Sequence, residues 1–177
     1  VGDAPPLKVT SGTVRFENVA FAYEPQRRIL KGISFEVPAG KTVAVVGPSG
    51  AGKTTLVNLI PRFYDVGQGR VLVDGIDVRE WAVDELRGRI GYVPQKAVLF
   101  TGTIAENIKY GRDDATLEQV QTAADIAQAT EFISTLPAGF QSPVSQGGTN
   151  LSGGQRQRLS IARALVRQPD IYVLDDS

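Results

Sequence analysis

Gly47, Gly52, Lys53 and Thr54 stand at the spacing G-x-x-x-x-G-K-[ST], a set of residue types suited to holding a polyphosphate. Gly47, Gly50 and Gly52, with Pro48, Ser49 and Ala51 between them, let backbone N–H groups converge closely on phosphate oxygens. The helix expected after the loop aims its N-terminal donors and positive dipole end at the anion. Lys53 can add a point charge on the β/γ-phosphates, and the Thr54 hydroxyl, followed by Thr55, can ligate Mg²⁺. A bland Gly-rich strand-to-helix turn would share the glycines. It would gain nothing from opening its helix on Lys53, because cations are disfavoured at that end.

Two further stretches carry chemistry. Ile171-Tyr172-Val173-Leu174 is an apolar run ending in Asp175-Asp176. A carboxylate at the C-terminal end of a parallel strand lies where open α/β sheets bind ligands, although strand-to-loop junctions favour Asp in any case. Leu151-Ser152-Gly153-Gly154-Gln155 reads as a helix start capped by Ser152. A capped tip with bare glycine N–H groups is also an anion site.

The elements that must position these groups follow from periodicity. Val43-Ala44-Val45-Val46 leads into the glycine loop as a strand, and the helix after Thr54 buries Leu56, Leu59, Ile60 and Phe63. Upstream, 13–23 and 29–37 alternate apolar and polar residues, an antiparallel β layer ahead of a parallel core. Residues 70–78 form a hairpin turning on Asp74-Gly75. Arg89–Val93 is a strand ending at Pro94-Gln95. From Ile104 to Ala164 the chain reads mostly helical, with breaks at Gly111 and from Pro137 to Gly148, an inserted helical subdomain. The last helix has Leu159, Ile161, Ala162, Leu165 and Val166 on one side, with Arg156, Arg158, Arg163 and Arg167 on a solvated face.

Composition bounds the class. The 177 residues are 42% hydrophobic and 21% charged, an ordinary globular balance. Lys+Arg and Asp+Glu number 19 each, which gives no basic footprint for nucleic acid. The absence of Cys excludes disulfides and thiolate metal sites and fits a reducing compartment. No apolar run reaches membrane-spanning length, and no signal peptide is visible. There is no Met, so the sequence reads as a piece of something longer. Residues 1–12, with Pro5-Pro6, read as a linker.

With the phosphate loop, the Asp strand and Leu151–Gln155 in one chain, the sequence resembles the nucleotide-binding domain of an ABC transporter across almost its whole length. The resemblance implies a P-loop NTPase fold, a RecA-like parallel core with an antiparallel β layer. Its β layer and core span 13–100, its helical subdomain about 101–165 and its Walker B strand 171–176. ATP and Mg²⁺ are the implied ligands, with Thr54, Gln95 and Asp175 as metal-side residues and Asp176, Gln95 and Lys53 as catalytic ones. Tyr23 stands where an aromatic stacks on adenine. In the family two such domains pair head to tail, so that Leu151, Ser152, Gly153, Gly154 and Gln155 would close on a partner's ATP. Leu99–Ile108, after Gln95, resembles exporters, which implies membrane domains upstream on the same chain and a place on the cytoplasmic face of the cell membrane.

The sequence departs from that pattern in three places. Asp176 replaces the family's Glu and is one methylene shorter, as in the degenerate half of heterodimeric exporters. Gln146 is neutral where an acid is common. There is no His, and Ser177 ends the sequence before the region where the family's switch histidine stands. The core strand that would lie between the two Walker strands is then missing, which implies a chain that is insoluble or molten alone. A soluble ABC-type ATPase of DNA repair or translation, a regulatory and weakly hydrolysing ATP-binding subunit, and a small-molecule P-loop kinase remain alternatives. The last gives Ser152 to Gln155 no role.

Overall fold

The computed structural model describes residues 12–175; the expected linker up to residue 11, Asp176 and Ser177 lie outside them. The described residues form two compact units, one running through Arg87 and the other starting at Gly88.

The first unit is built on a four-stranded sheet of order β2-β1-β3-β4. β1 (Val14–Glu24) pairs antiparallel with both β2 (Arg27–Val37) and β3 (Gln68–Val73). Alternation buries Val14, Phe16, Val71 and Val73 on one face. β3 returns through Asp74-Gly75 into β4 (Ile76–Asp77), with Val73 opposite Ile76. Both turn residues have positive φ, 50° and 79°, the type I′ geometry whose twist matches a hairpin. α1 (Lys53–Asn58) follows the glycine loop, and α2 (Val83–Gly88) closes the unit.

Two expectations fail in this unit. Val43–Val46 forms no strand: Val46 is 87% exposed, and among the described residues no ladder includes the segment. A β-branched run favours extended backbone, but only neighbouring strands satisfy its polar groups and turn it into a strand. Leu56, Leu59 and Ile60 are buried as expected, whereas Phe63 is 44% exposed. Its ring instead lies 5.1 Å beneath the Arg87 guanidinium, since the helix ends before Phe63 can continue its apolar side.

The second unit holds a parallel pair, β5 (Ile90–Val93) with β8 (Ile171–Leu174). A short antiparallel pair joins β6 (Gly102–Thr103) to β7 (Pro143–Val144), which no sequence pattern announced. The helical block comprises α3 (Ile104–Lys109), α4 (Leu117–Ile126), α5 (Thr130–Thr135) and α6 (Gly153–Val166). α3 and α4 each start in a capping box, Thr103 with Glu106 and Thr116 with Gln119. One core, centred on Ile104, Ile108, Val120, Ile133 and Leu159, holds them together. β8 is apolar throughout, yet Ile171 and Val173 are buried while Tyr172 and Leu174 are 48% and 61% exposed, because strand side chains alternate between faces.

Candidate nucleotide site

The glycine loop leads directly into α1, although the strand expected ahead of it is not formed. The Ala51 N–H donates to Pro48 O at 3.2 Å, closing a turn. Gly52 is the N-cap of α1 at φ 97°, with no side chain capping the helix and no acid in its first turn. An added Cβ at Gly52 would stand 2.7 Å from Ile29 Cγ2, so the left-handed conformation and the close approach of β2 both demand glycine. The Lys53 ammonium reaches back across the loop and donates to Gly47 O at 2.8 Å and Pro48 O at 3.0 Å. The amine therefore lies over the loop that would cradle a phosphate, and the helix start keeps its positive dipole end free of a competing carboxylate.

Tyr23, near the end of β1, is brought to this loop. Its hydroxyl shares a 3.1 Å hydrogen bond with Thr55 Oγ1, and its ring is 49% exposed. Phe21 and Tyr64 stand edge-on to it, with centroids at 4.9 and 5.1 Å. The three rings make a partly exposed aromatic wall beside the loop, apt for stacking a planar base. No local sequence pattern links Tyr64 to Tyr23, because the two lie far apart along the chain.

In the second unit, Gln95 and Asp175 follow the adjacent parallel strands β5 and β8, whose last residues Val93 and Leu174 are in register. The Asp175 N–H donates to Val93 O at 2.9 Å, and the Tyr92 hydroxyl reaches Asp175 Oδ2 at 3.5 Å. Asp175 is buried and Gln95 exposed. Among the described residues no three His, Cys, Asp or Glu gather as a metal cluster. Amide and carboxylate oxygens of this kind are hard donors of the sort that suits Mg²⁺.

Ser152 caps α6 through a full capping box. The Gln155 N–H donates to Ser152 Oγ at 3.2 Å and the Ser152 N–H to Gln155 Oε1 at 2.9 Å. Ser152, Gly153 and Gly154 are exposed, while Leu151 is buried and anchors the turn. Arg156 Nη1 donates to Leu151 O at 2.6 Å and Gly148 O at 3.3 Å. The solvated arginine face expected on α6 is thus corrected at Arg156 and, more strongly, at Arg163. Arg163 turns inward onto Val98 O and Asn107. Helical periodicity alone does not show that a guanidinium has carbonyls to meet.

The loop, the aromatic wall and the capped glycine tip on a P-loop α/β fold define a nucleotide-binding domain. Residues 30–177 match the ABC transporter family, and this chain belongs to that family. It is 49% identical over 99% of its length to the mitochondrial iron-sulfur clusters transporter atm1 of Aspergillus fumigatus, covering 24% of that protein. It is also 49% identical, over its full length, to the ATM1-type heavy metal exporter of Novosphingobium aromaticivorans, covering 29% of it. A third relative, at 52% over 94% of the chain and 29% of the relative, is the ATP-dependent lipid A-core flippase of Chromohalobacter salexigens. The structure of a bacterial Atm1-family ABC exporter with ATP bound superposes with a TM-score of 0.91 at 49% identity, over 98% of this chain and 30% of that one. The chain therefore spans less than a third of the length of these relatives. Among the described residues no helix is long and apolar enough to cross a membrane.

Proposed function

We propose that this chain binds and hydrolyses ATP to power export across a membrane, as the nucleotide-binding part of a transporter whose membrane domains precede it on the same polypeptide. ATP sits with its phosphates in the Gly47–Thr55 loop and its adenine on Tyr23, beside Tyr64. Lys53 leaves its loop carbonyls for the β/γ-phosphates. Thr54, Gln95 and Asp175 would supply protein oxygens to Mg²⁺, whose charge would offset that of the phosphates. Asp176 is the general base, and its shorter side chain sets it back from the attacking water, making turnover at this site slow. Ser152 and its glycines meet the ATP of a second nucleotide-binding domain. The assembly works at the cytoplasmic face of its membrane.

The observation that carries this reading is the pairing of a phosphate loop with an exposed, serine-capped glycine tip on a second unit of the same chain. A photoreactive label on Ser152→Cys, in the full-length transporter trapped with ATP and vanadate, is expected to crosslink to a neighbouring domain's phosphate loop. A crosslink confined to the chain's own 47–55 peptide, or to no phosphate loop, would overturn the head-to-tail arrangement. The finer point, slow turnover, is tested by Asp176→Glu, for which ATPase activity should rise. An unchanged rate would show that side-chain length does not limit it.

A further inference from the structure

We propose that Arg163 and Asn107 form a brace joining the segment that follows Gln95 to the helix that presents Ser152, and that both are positioning residues for the ATP reaction. The proposal rests on the reading above for the roles of Gln95 and Ser152; the brace itself rests on geometry within one compact unit.

Arg163 sits in the last turn of α6. Its Nε donates to Asn107 O at 2.9 Å, its Nη1 to Val98 O at 2.9 Å and its Nη2 to Asn107 Oδ1 at 3.1 Å. The guanidinium also lies 5.1 Å from the Phe100 ring centroid and 5.6 Å from that of Tyr110. Burial lowers its pKa from the ordinary guanidinium value, but an arginine remains charged at neutral pH. A buried charge is tolerated only where polar and π partners replace water, and here these partners come from the segment 98–100 and from α3.

Asn107 is 3% exposed and uses its whole amide. Its Oδ1 accepts from the Phe100 N–H at 2.9 Å as well as from Arg163. Its Nδ2 donates to Phe100 O at 2.8 Å and Thr103 O at 3.0 Å. Both lone pairs and both protons are committed, which fixes the amide in one orientation. Backbone packing tightens the junction further: an added Cβ at Gly111 would stand 2.0 Å from Arg163 O, so the exit of α3 lies directly on α6. Residues 98–111 and α6 are therefore held at one point by side-chain forks and by backbone contact. Gln95 stands just ahead of the first segment, and Ser152 caps the second.

Such a brace matters because a misplacement of about 1 Å can cost on the order of a hundredfold in rate. Cutting it frees Gln95 and Ser152 to be placed independently. The phosphate loop, in the other unit, keeps its ATP contacts. Turnover should fall while ATP affinity holds, whereas simple unfolding would take both.

The test uses the full-length transporter. Arg163→Lys keeps the charge and loses the planar fork; Asn107→Ala removes the amide. Spin labels at the exposed positions Lys96 and Arg158 report the distance between the two segments, and a fluorescent ATP analogue reports Kd. The expected result is a broadened distance distribution, an unchanged Kd, and a kcat lower by about 10- to 100-fold. If either variant fails to assemble, Phe100→Leu removes a partly exposed ring beneath the guanidinium; it should broaden the distribution and lower kcat several-fold at constant Kd. A distribution as narrow as wild type, or parallel loss of Kd and kcat, overturns the proposal. Ser152→Asp separates the two readings. If it abolishes turnover while a broadened brace variant keeps wild-type kcat, the positioning role is wrong. If it leaves turnover intact, the assignment of Ser152 to ATP has failed instead.

Discussion

Replacing Ser152 separates a cap from a contact with phosphate, because the same hydroxyl is asked to do both. Ser152→Ala removes the acceptor of the Gln155 N–H, a 3.2 Å bond, but leaves the reciprocal 2.9 Å bond from the Ser152 N–H to Gln155 Oε1. Losing such a cap costs about 1 kcal/mol, within a range of roughly 0.5–2. A local opening made easier by about 1 kcal/mol speeds amide exchange about fivefold. Exchange at the start of α6, followed by mass spectrometry in the full-length transporter, should rise by that factor. Ser152→Asp behaves differently. Asp caps as well as Ser and suits the positive helix end, so exchange should stay at the wild-type level. A carboxylate facing a triphosphate is a like-charge contact costing several kcal/mol, and each 1.36 kcal/mol is tenfold in rate. ATPase activity should therefore drop by about a hundredfold or more in a variant whose helix is intact. Wild-type turnover by Ser152→Asp would refute the reasoning and leave Ser152 a helix cap with no phosphate to meet.

Three further outcomes are expected. Gly52→Ala forces a left-handed residue to carry a Cβ, at about 1–2 kcal/mol, and sets that Cβ 2.7 Å from Ile29 Cγ2; ATP Kd should weaken tenfold or more, and Ile29→Ala in the same chain should recover the steric part only. Leu159→Ala empties a fully buried position in the helical core and should cost about 2–5 kcal/mol, read as faster exchange throughout α6 while the first unit is unaffected. Asp77 accepts from the Arg79 backbone and guanidinium, and the side-chain bond is the main cause of its lowered pKa. A carboxyl with a folded pKa below its unfolded one stabilises fully above the unfolded value and loses that contribution as pH falls through the folded one. The stability gap between wild type and Asp77→Asn should thus stay constant near neutrality and close only in acid below the ordinary carboxylate range, as thermal unfolding across that range will show.

The parts of the molecule legible in the sequence are those decided over a few residues. Asp74-Gly75 specified its hairpin because both positions need positive φ and the flanking residues alternate. Ser152 with Gln155, and the glycines before Lys53, announced a cap and a phosphate loop because each is complete within one short window. Where the outcome depends on distant partners, local pattern misled. Val43–Val46 has every propensity of a strand, yet pairing is supplied by other strands. Charge alone set Arg163 on a solvated face of α6, although it stands four residues from Leu159 and three from Val166, both buried; carbonyls and rings from 98–110 receive it. Tyr64 joins Tyr23 only through the fold. Within the candidate site, the residues that touch ATP in the proposed reading were legible; those that hold them in place were not.

One margin of the first unit's sheet is β2, whose early positions Arg27, Arg28 and Lys31 are all exposed. Among the described residues no further strand pairs with β2, and cations along such an edge discourage another chain from extending the sheet there. For a molecule proposed to meet its neighbour through a helix tip, such a rim disfavours a second mode of association, the sideways stacking of copies into fibres.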